Sequence, residues 1–125
     1  MFRDYLKILL TLIVVFIVFA LGYFLYWKSC VDKASDLYAS GKMYEAEKML
    51  LNNIEVFPAV FFKKDDAFLK LGEIYYHRGE IQKAEQHYHQ ALNISSDLAL
   101  PLFRLGIIRD GEGRLSDAID YFERA

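Results

Sequence analysis

The chain has 125 residues, with 15 basic and 17 acidic side chains, a formal charge of −2 and 54% hydrophobic residues. This length holds one small domain and one further segment, and the near balance of charge gives no electrostatic reason to bind nucleic acid. A single cysteine, Cys30, excludes a disulfide within the chain, and no low-complexity tract interrupts it.

Residues 1–27 hold much of the hydrophobicity and only Arg3, Asp4 and Lys7 as charges, which leaves 13 basic and 16 acidic side chains, a formal charge of −3, on the rest. Residues 8–27 form an uncharged run in which only Thr11 and Gly22 are not hydrophobic. As a helix it spans about 30 Å, the thickness of a bilayer's hydrocarbon core. The Thr11 hydroxyl can be satisfied on the helix's own backbone. Tyr5 at one end and Tyr23, Tyr26 and Trp27 at the other make interfacial aromatic belts, flanked by Arg3, Lys7 and Lys28. A cleaved signal peptide fits less well, because its core is shorter and ends in small residues, whereas this run ends Phe-Leu-Tyr-Trp. Lys28 before Cys30 also departs from a lipoprotein signal, so Cys30 reads as a lone buried or interfacial thiol. Positive charges are nearly equal on the two sides. The short head suits an uncleaved signal-anchor, which in a bacterium places the rest of the chain outside the cytoplasm.

Residues 27–60 come next. Ala34, Gly41, Ala46, Leu50 and Pro58 are spaced as in a helix–turn–helix, and residues 28–39 contain no Gly or Pro. The apolar helix is therefore predicted to run straight into the next helix, with a kink at Lys28-Ser29 as the alternative. About four extra residues fall near 60–64. Residues 59–62, Ala-Val-Phe-Phe, are either a helix extension packed on the preceding unit or a contact with a membrane or partner. Residues 65–98 read as two amphipathic helices meeting at Arg78-Gly79. Their pattern returns after 34 residues: Leu71-Gly72 as Leu105-Gly106, Gly79 as Gly113, Ala84 as Ala118, Tyr88 as Phe122 and Ala91 as Ala125. A period of that size marks a helical repeat array. Gly72 and Ala84 allow close approach of the two helices, the aromatics fill the layer between units, and Gly79 supplies backbone freedom at the turn. Ser95-Ser96-Asp97 offers helix caps before Pro101, which suits a first helical turn.

These motifs resemble the tetratricopeptide repeat (TPR) over about 100 residues, most closely in residues 65–125 and less so in 27–60. In the first unit Leu37 stands at the usual Tyr position and Asn53 at the second Ala position; in the third, Arg109 replaces the usual aromatic. The resemblance implies an all-α fold: an N-terminal transmembrane helix (1–27) followed by about three TPR helix–turn–helix repeats in a right-handed α-solenoid (28–125). It gives Gly72, Tyr75, Gly79, Ala84, Tyr88, Gly106, Gly113 and Ala118 the role of packing the repeats. It also implies a ligand groove lined by the first helix of each repeat. The corresponding positions are Val31 and Tyr38; Asp66, Leu69, Glu73, Tyr76 and His77; and Leu100, Phe103, Ile107 and Asp110. This lining is apolar and aromatic with three acids, suited to an amphipathic helix or extended peptide. Several of these residues can equally be core. Val31 and Ser35 stand where some members carry a carboxylate-clamping Lys and Asn. With no capping helix after Ala125, Phe122 and Ala125 are expected to form an apolar edge for a partner.

Chemical motifs are sparse. His87 and His89 lie on different helix faces, and no cysteine or carboxylate cluster accompanies them or His77. The triplet Asn93-Ile94-Ser95 fits the glycosylation pattern, a common chance match. No catalytic residue, metal, cofactor, nucleic acid or small-molecule substrate is expected. The expected partners are other proteins, as subunits of a membrane complex, and the bilayer through residues 8–27. The reading is a membrane-anchored scaffold that assembles or tethers such a complex. The alternative is an N-anchored receptor for amphipathic targeting or export segments.

Overall fold

A computed structural model describes residues 1–56 and 63–125. The expectations for Pro58 and for residues 59–62 lie outside the described residues. The described elements are six helices: α1 Phe2–Ala39, α2 Met43–Val56, α3 Asp65–His77, α4 Ile81–Ile94, α5 Ala99–Gly111 and α6 Leu115–Arg124. Each odd-numbered helix packs most closely on the helix that follows it. Successive hairpins meet through α2 against α3 and α4 against α5, and α1 also touches α3. The chain is thus an all-α stack of three TPR-like hairpins behind a long apolar helix.

That helix is unbroken. α1 runs from the apolar stretch through Lys28 and Ser29 to Ala39 in one piece, as the lack of Gly and Pro predicts. Its apolar side chains from Leu6 to Tyr26 are exposed, and its length and composition suffice to cross a membrane. Thr11 Oγ1 donates to the Lys7 carbonyl at 2.8 Å, as expected of a hydroxyl in an apolar helix. Trp27 is the first buried residue, and from Val31 and Ala34 onward α1 belongs to the core.

The hairpin turns share one geometry. Gly41, Gly79 and Gly113 sit at φ 80°, 76° and 75°. The amide after each glycine bonds back to the helix end: Lys42 to the Leu37 carbonyl, Glu80 to Tyr75 and Arg114 to Arg109, each at 2.9 Å. This is the Schellman arrangement, whose left-handed residue is cheapest as glycine. The Ser95-Ser96-Asp97 caps do not form. The N-cap of α5 is Leu98 without a side-chain hydrogen bond. Leu98 has no side-chain oxygen to accept with, and Pro101, at the third helical position, removes one of the two amides a cap could use. Ser95 instead donates to Asp65 Oδ2 at 2.5 Å, tying the end of α4 to the start of α3.

Gly72 and Gly106 are needed for space rather than for φ. A Cβ on Gly72 would come 2.5 Å from the Tyr88 ring, and one on Gly106 would come 2.5 Å from the Phe122 ring. The first hairpin has Ala34 and Leu50 at these two positions, both buried; a Leu in place of a ring leaves room for a methyl. Helix propensity favours Gly72→Ala by about 1 kcal/mol, but overpacking costs about 1–3 kcal/mol. The ring cannot yield, because Tyr88 is fully buried and its hydroxyl is bonded to Glu73. Gly72→Ala is therefore expected to lower stability in denaturant unfolding followed by circular dichroism, and to be neutral or stabilising in a Tyr88→Leu background.

Candidate protein-binding groove

The predicted groove residues do not act as one set. Tyr38, Leu69, Glu73 and Leu100 come together with Ala34, Ser35, Lys70 and Ile74 around a cavity of about 220 Å³ between α1, α3 and α5. His77 is exposed beside it, with its ring 5.8 Å from the rings of both Tyr38 and Tyr76. Val31, by contrast, is buried in the core with Trp27 and Ala34 and offers no surface. Phe103 is exposed with its ring 5.7 Å from Phe122, so it belongs with the α6 edge. Ile107 is half-buried on α5, and Asp66 and Asp110 are exposed.

The groove acid is already engaged. Arg104 donates from Nε and Nη2 to the two carboxylate oxygens of Glu73 at 2.9 and 2.8 Å, and the Tyr88 hydroxyl donates to Oε1 at 2.6 Å. His77 Nε2 stands 3.9 Å from Oε2. The Arg104 guanidinium lies over the Tyr76 ring at 4.7 Å. Burial would raise the Glu73 pKa, but the hydrogen bonds from Arg104 and Tyr88 and the nearby positive charge outweigh it and hold the carboxyl below its ordinary 4.5. Glu73 pushes Arg104 up in turn, and burial and the same carboxylate raise Tyr88. A bidentate pair of this kind is a fixed clamp joining α3, α4 and α5. It leaves the cavity wall mostly apolar, with Lys70 paired to exposed Asp66 at 3.6 Å. Arg104 had a readable signal: it repeats Lys70 at the 34-residue period and so stands one turn below Glu73 on the neighbouring helix.

A second set of bridges joins the hairpins on their opposite side. Glu47 accepts from the Tyr75 hydroxyl at 2.6 Å and from Arg78, and Glu85 pairs with Arg109 at 2.6 Å. Burial and the Glu47 carboxylate push Tyr75 up to about 12. Glu47 and Glu85 each follow the close-packing alanine of their hairpin, and Tyr75 and Arg109 are one repeat apart. Arg109, irregular in the sequence, therefore keeps the same inter-repeat bridge with an ion pair. In the third hairpin the acid's position is Ile119, 56% exposed beside exposed Leu115 and Phe122. Ala118 is buried in α6 and Ala125 is exposed at its end.

The histidines separate as their spacing implies. His89 is exposed, whereas His87 is half-buried and stacked on Tyr75 (5.2 Å, 5°) and on Phe68 (6.0 Å, 19°). Among the described residues no three His, Cys, Asp or Glu side chains gather as a metal site.

Residues 65–125 match the tetratricopeptide repeat family model. No curated protein matches the chain. Among solved structures, that of MamA superposes with a TM-score of 0.68 at 22% identity, covering 78% of this chain and 55% of that one. The chain thus spans about half the length of that protein, and the likeness is one of fold.

Burial holds the His87 pKa below its ordinary 6.5. A depressed folded-state pKa means that the unfolded chain takes up the proton first. Stability is therefore fully present above 6.5 and is lost as the pH falls from there toward the folded-state value. Unfolding curves across this range should show the decline, and His87→Phe should flatten it.

Proposed function

We propose that this chain is a membrane-anchored TPR scaffold, with residues 1–27 as the anchor and 28–125 as the interaction domain, that assembles or tethers the subunits of a multiprotein membrane complex. The fold is that of a protein-interaction module. One observation carries the reading: the apolar cavity at Tyr38, Leu69 and Leu100 is built partly from α1, the same helix that supplies the exposed apolar stretch. A partner held there is held at a fixed place relative to the anchor. The clamp on Glu73 supports an apolar rather than a cationic guest, because the carboxylate's charge is already matched by Arg104. The α6 edge of Leu115, Ile119 and Phe122 is the second contact. With no acid at position 119, it suits an apolar helix better than another Tyr- or Arg-bearing repeat. The short head of the span supports an uncleaved signal-anchor, an orientation that in a bacterium has the repeats outside the cytoplasm.

Purification of the full-length protein from its native membrane in mild detergent, followed by mass spectrometry, tests this reading. A fixed set of membrane subunits at constant ratio supports it. Recovery of the chain alone counts against it, and weak exchange among many amphipathic peptides moves the assignment to a targeting or export receptor. Tyr38→Ala should cost about 2 kcal/mol of partner affinity, roughly thirtyfold, as for a central aromatic anchor. Ile119→Glu probes the edge separately and restores the acid of the earlier hairpins. Phe122 serves that purpose less well, since its ring also packs on Gly106.

A further inference from the structure

The two rims of the stack differ in composition, and contacts across the hairpins fix which residues lie on each. The ends of α1 and α3 meet through Tyr38 and His77, and Glu47 near the start of α2 meets Arg78. Glu85 near the start of α4 likewise meets Arg109 late in α5. The glycine turns 40–42, 78–80 and 112–114 therefore share one rim. Apart from its glycines, every residue in those turns is polar or charged: Ser40, Lys42, Arg78, Glu80, Glu112 and Arg114.

The opposite rim joins the end of α2 to the start of α3, where Lys64 Nζ donates to the Ile54 carbonyl, and the start of α3 to the end of α4 through Asp65 and Ser95. Val56, Ile94 and Leu100 lie along it, 56%, 40% and 41% exposed, with Lys63 exposed nearby. Glu55, Asn93, Ser96 and Asp97 are exposed between them. α1 leaves the stack through this same rim. From Trp27 to Ala39 it rises about 18 Å, and α2 returns about 20 Å from Met43 to Val56. Val56 is thus brought back level with Trp27, where the apolar stretch ends.

We infer that this rim rests in the interfacial layer of the bilayer that α1 crosses, with Val56 deepest, Ile94 and Leu100 beside it, and Lys28 and Lys63 among the lipid phosphates. The inference rests on the anchor reading. Its physical basis is that an interface accepts apolar side chains and basic groups together, while the polar and charged rim is carried about 20 Å away on rigid helices. The lipid-facing surface is then composite: one spanning helix and one resting edge. Both ends of the cavity wall at Leu100 and Tyr38 acquire a defined height above the membrane.

Spin labels on the full-length chain in phosphatidylcholine–phosphatidylglycerol vesicles test it. In a Cys30→Ser background, labels at Phe16→Cys, Val56→Cys, Ile94→Cys and Tyr44→Cys are compared for collision with oxygen and with a water-soluble nickel chelate. Expected is a several-fold lower nickel accessibility at residue 56 than at exposed residue 44, a smaller reduction at 94, and full protection at 16. Water-like accessibility at 56 and 94 with residue 16 protected would overturn the inference and leave the anchor standing. Water-like accessibility at residue 16 would overturn the anchor reading, and the inference with it.

Discussion

The rings of Tyr88 and Phe122 occupy the space that a methyl group on residue 72 or 106 would need. This contact sets how closely the two helices of a hairpin approach, and the rest of the stack follows from that spacing. With the ring against Gly72, the Tyr88 hydroxyl reaches Glu73, the next residue of α3. There it meets Arg104 from α5. The close approach inside one hairpin thus positions the clamp that joins it to the next, and the clamp aligns the helices that wall the cavity. The first hairpin, with Ala34 and Leu50, reaches similar burial with a larger residue on one side and a smaller one on the other.

Charge in this molecule mostly serves alignment. The groove acid expected to meet a ligand is spent internally on Arg104, and the acids after Ala46 and Ala84 are spent on Tyr75, Arg78 and Arg109. These pairs are partly buried and geometrically fixed, the condition under which ion pairs specify register rather than merely decorate a surface. Surfaces left for partners are therefore apolar: the small cavity beside Tyr38, and the α6 face around Ile119.

The architecture was legible because its signals are local and repeated. Glycine at three turns, small residues opposite large ones and a 34-residue period all act within one hairpin. The unbroken α1 was legible for the same reason, since only a Gly or Pro would have stopped it. The groove was less so. A periodic position says which face a residue is on, but not whether the folded stack covers it: Val31 is buried in the core, while Leu100 is exposed. Taken alone, Glu73 looks the same whether it faces a ligand or Arg104; only comparison with the next repeat, where Arg104 takes the place of Lys70, reveals the pairing. The failed cap at Ser95-Ser96-Asp97 has a similar cause. Polar residues before a helix predict a cap only if one of them stands at the N-cap itself, and here that position is Leu98.

In the proposed anchor, the continuity of α1 also fixes a direction in the plane of the membrane. A helix turns about 100° per residue, so the bearing of Tyr38 around the axis of the span is set by the number of residues between them. One residue more or less just before Trp27, where α1 is still exposed, would aim the cavity at a different neighbour while leaving its shape intact. A change of seven residues would return it to within about 20° of its original heading. Just before Trp27 the chain therefore carries information as a count as well as a composition, and substitutions at those exposed positions are more tolerable than insertions.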